Sequence, residues 1–237
     1  MTATDGTDRQ GGDRFYGRRK GKPLRPGRQK LVDEQLPALR VSPDKLRAGQ
    51  SLADLFAGHK RAYWLEIGFG GGEHLADMAA GNSDVGIIGC EPFINGVASL
   101  LSHIADANLK NVRIWDDDVR DLLPALPDAA FERIFLLYPD PWPKTRHHRR
   151  RFVNAENLST VARLLAGGGL FRFASDHMGY VAWTLEHMCR EPAFEWCAEG
   201  PADWRERPAD MIETRYETKA RRQGSACVYL DFRRRPR

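Results

Sequence analysis

Tyr63-Trp64-Leu65-Glu66-Ile67-Gly68-Phe69-Gly70-Gly71-Gly72 runs from a short apolar stretch straight into a glycine turn, and Glu73 to Ala80 then reads as helix. The pattern recurs along the chain from there. Val85 to Glu91 is a second buried strand, followed by helix from about Ile94 to Asn108. Val112 to Trp115 is a third strand, ending at Asp116-Asp117-Asp118. Phe131 to Tyr138 is a fourth, and Leu170 to Ala174 a fifth, with a helix at roughly Phe152–Leu165 between them stopped by Gly167-Gly168-Gly169. A helix from about Tyr180 to Met188 and a strand from Cys227 to Phe232 complete the series. Near-continuous apolar strands alternating with helices predict an α/β fold, a doubly wound, mostly parallel sheet covered by helices on both faces. Ligands of such sheets sit at the carboxyl ends of the strands, so the polar residues found there are the ones to read.

A chain of 237 residues with 42% hydrophobic and 29% charged residues is globular in composition, which excludes wholesale disorder. No apolar run approaches the roughly 18–20 residues of a membrane span. The chain opens polar from Met1 to Gly12, so a cytoplasmic protein with no membrane association is expected. Cys90, Cys189, Cys197 and Cys227 are scattered without a CxxC pair, the pattern of reduced thiols with no metal knuckle. Residues 1–31 carry nine Lys/Arg against three Asp, and residues 215–237 carry eight against two acids. With a net charge of +4 overall, the stretch 32–214 is left at −8. Basic ends on an acidic body imply a polyanionic partner. Residues 1–31 therefore read as a basic arm, and 32–237 as a single domain with a basic C-terminal segment.

A glycine loop between strand and helix can serve a dinucleotide, a nucleoside or a tight turn. Its acidic neighbours narrow the choice. Glu66, still on the first strand, would repel a diphosphate and suits a ligand with a cationic amino-acid end. Glu91, at the end of the second strand and 21 residues after Gly70, is placed for ribose hydroxyls. Asp118, ending the third, is placed for an adenine amine. Three acids around Gly68 and Gly70 describe a pocket for S-adenosyl-L-methionine, whose sulfonium and ammonium favour negative surroundings.

Tyr138-Pro139-Asp140-Pro141-Trp142-Pro143-Lys144-Thr145-Arg146-His147-His148-Arg149-Arg150-Arg151 follows the fourth strand. Three prolines in five residues fix the backbone and hold Asp140 at the sheet's carboxyl edge. The basic run beyond it, read as the start of a helix, forms a patch for a phosphate backbone. Cations there oppose the helix dipole, so stability does not explain them. The adjacent His147 and His148 lack metal-ligand spacing, and no metal is expected.

Leu65-Glu66-Ile67-Gly68-Phe69-Gly70, the Tyr138–Arg151 segment and Thr214-Arg215-Tyr216-Glu217 together resemble the bacterial tRNA (guanine-N7)-methyltransferase family, over essentially the whole chain. The resemblance implies a Rossmann-like class I methyltransferase fold with a seven-stranded sheet. It implies S-adenosyl-L-methionine-dependent methylation of N7 of guanine 46 in the tRNA variable loop. Carried over by position, Glu66, Glu91, Asp118 and Asp140 would contact the donor, with Asp140 also the catalytic carboxylate. Lys144, Asp176 and Thr214–Glu217 would bind the substrate, and Arg146, His147, His148, Arg149, Arg150 and Arg151 would touch RNA. The family commonly has Thr-Lys-Phe-Glu followed by x-Arg-Gly, whereas here Thr218-Lys219-Ala220 follows Glu217, so a glycine is replaced by Ala220.

Guanine N7 has an in-plane lone pair and no proton to lose, so the reaction asks for alignment and charge placement, not a strong base or covalent nucleophile. Asp140 and Glu217 are expected to accept hydrogen bonds from the guanine N1–H and N2 amine. A methyltransferase for another RNA or a small molecule is the alternative; a small-molecule enzyme leaves the basic patch and arms unexplained. A nicotinamide dehydrogenase accounts for the loop and Glu91 but makes Glu66 awkward. A binding-only RNA protein predicts a broken pocket, yet the acids and glycines are all present. A monomer or homodimer is expected.

Overall fold

The computed structural model describes residues 17–236. The first half of the basic arm, residues 1–16, lies outside the described residues. In chain order the elements are α1 (Pro26–Leu39), α2 (Pro43–Arg47), β1 (Ala62–Ile67), α3 (Glu73–Gly81), β2 (Val85–Cys90), α4 (Ile94–Asp106), β3 (Val112–Trp115) and α5 (Val119–Leu122). They continue with β4 (Phe131–Leu137), α6 (Ala155–Leu164), β5 (Leu165–Ser175), α7 (Met178–Arg190), β6 (Phe194–Trp196), α8 (Ala202–Arg205), α9 (Arg215–Arg222) and β7 (Val228–Arg234). The strands form a seven-stranded sheet in the order β3-β2-β1-β4-β5-β7-β6. β1 to β5 pair in parallel, and β7 runs antiparallel between β5 and β6. Strand order reverses between β1 and β4, which opens a crevice at their carboxyl ends.

Two apolar layers cover the faces of this sheet. One gathers Leu65, Ile67, Ile88, Ile134 and Leu136 with Phe171, Phe173 and helices α6 and α7. The other gathers Trp64, Ile87, Ile114 and Phe135 with α3 and α4. Every residue of β2 is buried, as a central parallel strand covered on both sides requires.

Three local readings are corrected. The basic run does not open a long helix. Thr145–Arg150 is a separate 3-10 turn, and α6 starts at Ala155, where Asn154 in extended conformation caps it by accepting from the Asn157 N–H at 2.9 Å. Gly167-Gly168-Gly169 does not separate helix from strand: β5 begins at Leu165 and carries the glycines inside it, where its register against β4 shifts between Phe131 and Arg133. An extra-residue irregularity of this kind is where strand glycines are tolerated. Helix α1 starts at Pro26, inside the segment that composition assigns to the arm, and it packs on α4. Among the described residues no helix is long and apolar enough to cross a membrane.

Candidate active site

A cavity of about 750 Å³ opens at the carboxyl ends of β1, β2 and β4. Gly68, Gly70, Glu91, Phe93, Asp118, Asp140, Trp142 and Tyr216 are among its walls. The glycine turn is built by close approaches. Gly70 has φ +57°, and a Cβ there would stand 2.8 Å from the Tyr216 ring. Gly96, in the first turn of α4, packs on the Gly70 carbonyl so tightly that a Cβ would come within 2.1 Å of its oxygen. Gly96→Ala must push the loop off α4, and a loss of about tenfold or more in donor affinity, read by calorimetry, is the expected result.

Glu91 is the staple of this loop. Its Oε2 accepts from the Gly70 N–H at 2.8 Å and its Oε1 from the Phe93 N–H at 2.9 Å. Burial pushes its carboxyl up, the two backbone donors pull it down, and the nearby Asp140 adds to the rise. Each oxygen keeps a further lone pair for a ligand hydroxyl. Asp118 also lines the cavity, buried, but its carboxylate is already held: it caps α5 through the Arg120 N–H at 3.0 Å and takes the Arg120 guanidinium at 2.7–3.1 Å.

Glu66 is placed behind the glycine turn. It is 3% exposed, is not among the residues lining the cavity, and places Oε2 2.8 Å from Nδ1 of the buried His74 on α3. The acid therefore ties β1 to α3 behind the turn. Its partner, eight residues on, was missed in the sequence because a histidine at the start of a helix carries no signal of burial.

Asp140 stands exposed at the cavity mouth. The cavity walls still shield part of its carboxylate from water, which raises the carboxyl from its ordinary value, and Arg18 opposes that rise. The backbone on either side of Pro139-Asp140-Pro141 is left-handed at bulky residues, with φ +50° at Tyr138 and +44° at Trp142. Aromatic residues rarely adopt this region, and such outliers concentrate where geometry is over-determined for function.

The basic run divides by position. Arg149, Arg150 and Arg151 line the cavity, and Arg150 lies over the Trp142 ring at 4.9 Å. Lys144 and Arg146 are exposed, while His147 sits edge-on to Trp142 and His148 edge-on to Trp183. Arg151 is the most enclosed of the three arginines. It is 3% exposed, between Tyr180 and Trp183, and donates to the carbonyls of Pro141 at 3.0 Å and Gly179 at 3.2 Å. It is a strut under the proline segment. Asp176, at the end of β5, is half-buried and does not line the cavity.

Thr214-Arg215-Tyr216-Glu217 opens α9, with the Thr214 hydroxyl accepting from the Glu217 N–H at 3.2 Å. Thr-x-x-Glu is a helix-capping pattern. Glu217 is wholly buried. Its Oε1 takes Arg221 at 2.9 Å and Arg207 at 3.4 Å, and it does not line the cavity. Of the two acids expected to meet the guanine edge, only Asp140 faces the cleft. Tyr216 does face it, while Arg215 pairs with Glu73 at 3.1 Å. Ala220 lies inside α9, so no left-handed residue is needed there. Among the described residues no group of three or more His, Cys, Asp or Glu side chains comes together to hold a metal.

A family model described as putative methyltransferase matches residues 60–230. The chain is 56% identical over 226 residues to a tRNA (guanine-N(7)-)-methyltransferase of Rhodospirillum rubrum, covering 94% of this chain and 89% of that one. It is 53% identical to the protein of the same description from Ruegeria pomeroyi, covering 93% and 94%. Among solved structures it resembles the 16S rRNA methyltransferase KamB, with TM-score 0.55, 15% identity and coverage of 81% and 92%. A likeness that distant speaks for the fold alone. Identities above one half across nearly the full length of both partners speak for more: the chain belongs to the tRNA (guanine-N7)-methyltransferase family.

Proposed function

We propose that this protein transfers the methyl group of S-adenosyl-L-methionine to N7 of a guanine in tRNA, and that the base is guanine 46 of the variable loop. The observation that carries the reading is the placement of Asp140 and Glu91 in one cavity whose mouth bears Arg149 and Arg150. The residues present suit the donor. Gly68 leaves open space where a side chain would project, and Glu91, Asp118 and Asp140 furnish carboxylates for its hydroxyls, amine and positive charge. Bound there, the donor supplies a methyl group on a positively charged sulfur.

The protein's part is placement. Glu91 and Gly96 fix the glycine turn against which the donor rests. The positive-φ residues on either side hold Asp140 at the mouth, where its carboxylate faces the purine as positive charge develops on it. The same carboxylate is free to accept from the N1–H and N2 amine of guanine, an edge adenine lacks.

Lys144, Arg146, Arg149 and Arg150 form the near shore of a phosphate-binding surface. Arg215, Lys219 and Arg222, at helical spacing on α9, line a second hollow of about 530 Å³. With about five phosphates engaged, tRNA affinity is expected to fall roughly a hundredfold between about 50 and 200 mM salt. A filter-binding series reads this directly, and a flat response contradicts the assignment. The function itself is tested by labelled methyl transfer into tRNA with nucleoside identification. 7-Methylguanosine from wild-type transcripts and none from transcripts bearing adenine at position 46 is the expected outcome. Label at another position or atom would overturn the proposal.

A further inference from the structure

Gly17 and Arg18 line the same cavity as Gly70, Glu91 and Asp140, although they precede the domain's first helix. The residues that follow are fastened to the rim. The Arg19 carbonyl accepts from the Ile94 N–H at 3.1 Å, an otherwise open donor at the start of α4. The Asn95 amide grips the chain both ways, accepting from the Gly21 N–H at 3.0 Å and donating to the Lys22 carbonyl at 2.8 Å. Arg19 pairs with Asp117 at 2.7 Å. Gly21 lies so close that a Cβ would stand 2.8 Å from the Phe93 ring.

The next residue of α4, Gly96, is the one that abuts the Gly70 carbonyl. Ile94, Asn95 and Gly96 thus join the N-terminal segment and the glycine turn through a single helical turn.

We propose that residues 17–22 form a strap latched across the donor cleft by Asn95, and that the strap makes Arg18 a positioning residue for methyl transfer by holding its guanidinium toward Asp140. This rests on the reading of the cleft as a donor site. The charged and titratable groups that share the cavity with Asp140 are Arg18 from the strap, Glu91 from the end of β2, Asp117, Asp118 and Arg120 from the end of β3 and the start of α5, Tyr138 before the proline segment, Arg149, Arg150 and Arg151 from the turn after Trp142, Tyr180 from α7 and Tyr216 from α9. Arg18 is the cation that counters the burial of Asp140, whereas the cation acting on Glu91 is Arg215. Removing Arg18 therefore raises Asp140 selectively. With the strap in place, a carboxylate needed in its ionised form stays ionised to lower pH.

The test uses the full chain and three variants. Asn95→Ala is expected to release S-adenosyl-L-methionine about tenfold faster in stopped flow without RNA, the loss of two hydrogen bonds, with thermal unfolding near wild type. Arg18→Ala is expected to move the acid limb of kcat/KM for tRNA upward by about 0.5 in pH, and Arg18→Lys to restore it. An Asn95→Ala variant with unchanged donor release, or an Arg18→Ala profile superimposed on wild type, overturns the strap. Absence of methyl transfer into tRNA by the wild type would instead overturn the functional reading, since donor release is measured without RNA.

Discussion

Asp140→Asn is expected to lower methyl transfer into tRNA by about 10²- to 10³-fold in kcat, with donor affinity changed far less. The substitution keeps the shape of the side chain and removes its charge. Nothing in the fold depends on that charge, because Asp140 stands exposed at the cavity mouth. What is lost is a fixed negative group facing the place where positive charge develops on the purine. An asparagine also presents an amide donor where the guanine edge offers donors of its own. Single-turnover rates with saturating donor separate the two parameters. Near-normal turnover with unchanged guanine selectivity would refute the role.

Arg172→Ala is expected to give the largest loss of stability. The side chain is 5% exposed and spans β5 to β7, donating to both oxygens of Asp231 at 2.7 Å and to Asp210 at 2.6 Å. Asp210 also takes Arg133 at 2.6 Å, so two guanidiniums pin the loop that leads into α9. Removing a partner from a buried pair costs about 3–5 kcal/mol. Asp210 is 41% exposed and regains some hydration, which lowers the expectation to about 2–3 kcal/mol. At about 2–4 °C per kcal/mol, the melting temperature should fall by roughly 5–10 °C in calorimetry. Burial pushes Asp210 up, but Arg172 and Arg133 outweigh it and hold the carboxyl below its ordinary value. The clamp's contribution is therefore present above the unfolded Asp value near 4 and is lost as pH falls through the lower folded one. An unchanged melting temperature at neutral pH would show the clamp to be dispensable.

The fold was legible because its signals are local. β1, β2 and β4 are short apolar runs, each followed at once by a glycine, an acid or a proline segment, and a parallel sheet brings those ends to one edge. Glu91, Asp118 and Asp140 face the cleft for that reason. The elements that escaped notice lack such patterns. β6 has three residues, and α9 is so charged that it reads as tail. The side chains whose burial carries no sequence signal share one cause. Glu66, Arg151 and Glu217 belong to types usually found in water, and each is enclosed here with partners from elsewhere in the fold or one helical turn away: His74, the Tyr180–Trp183 pair, and, for Glu217, Arg207 with Arg221 of its own helix. The strap escaped for the converse reason. Its composition resembles a free arm, and its fixed course comes from residues more than seventy positions away: the Asn95 amide, the Ile94 N–H and the Asp117 carboxylate.

The reversed strand β7 has a consequence for how the molecule is made. It sits between β5 and β6 and buries Val228, Tyr229, Leu230 and Phe232. A nascent chain halted before residue 228 would leave β5 with an open flank and β6 with no neighbour. Ribosomal synthesis must therefore deliver residues 228–234 before the sheet can close, and until then the exposed flank of β5 is a template for pairing with another chain.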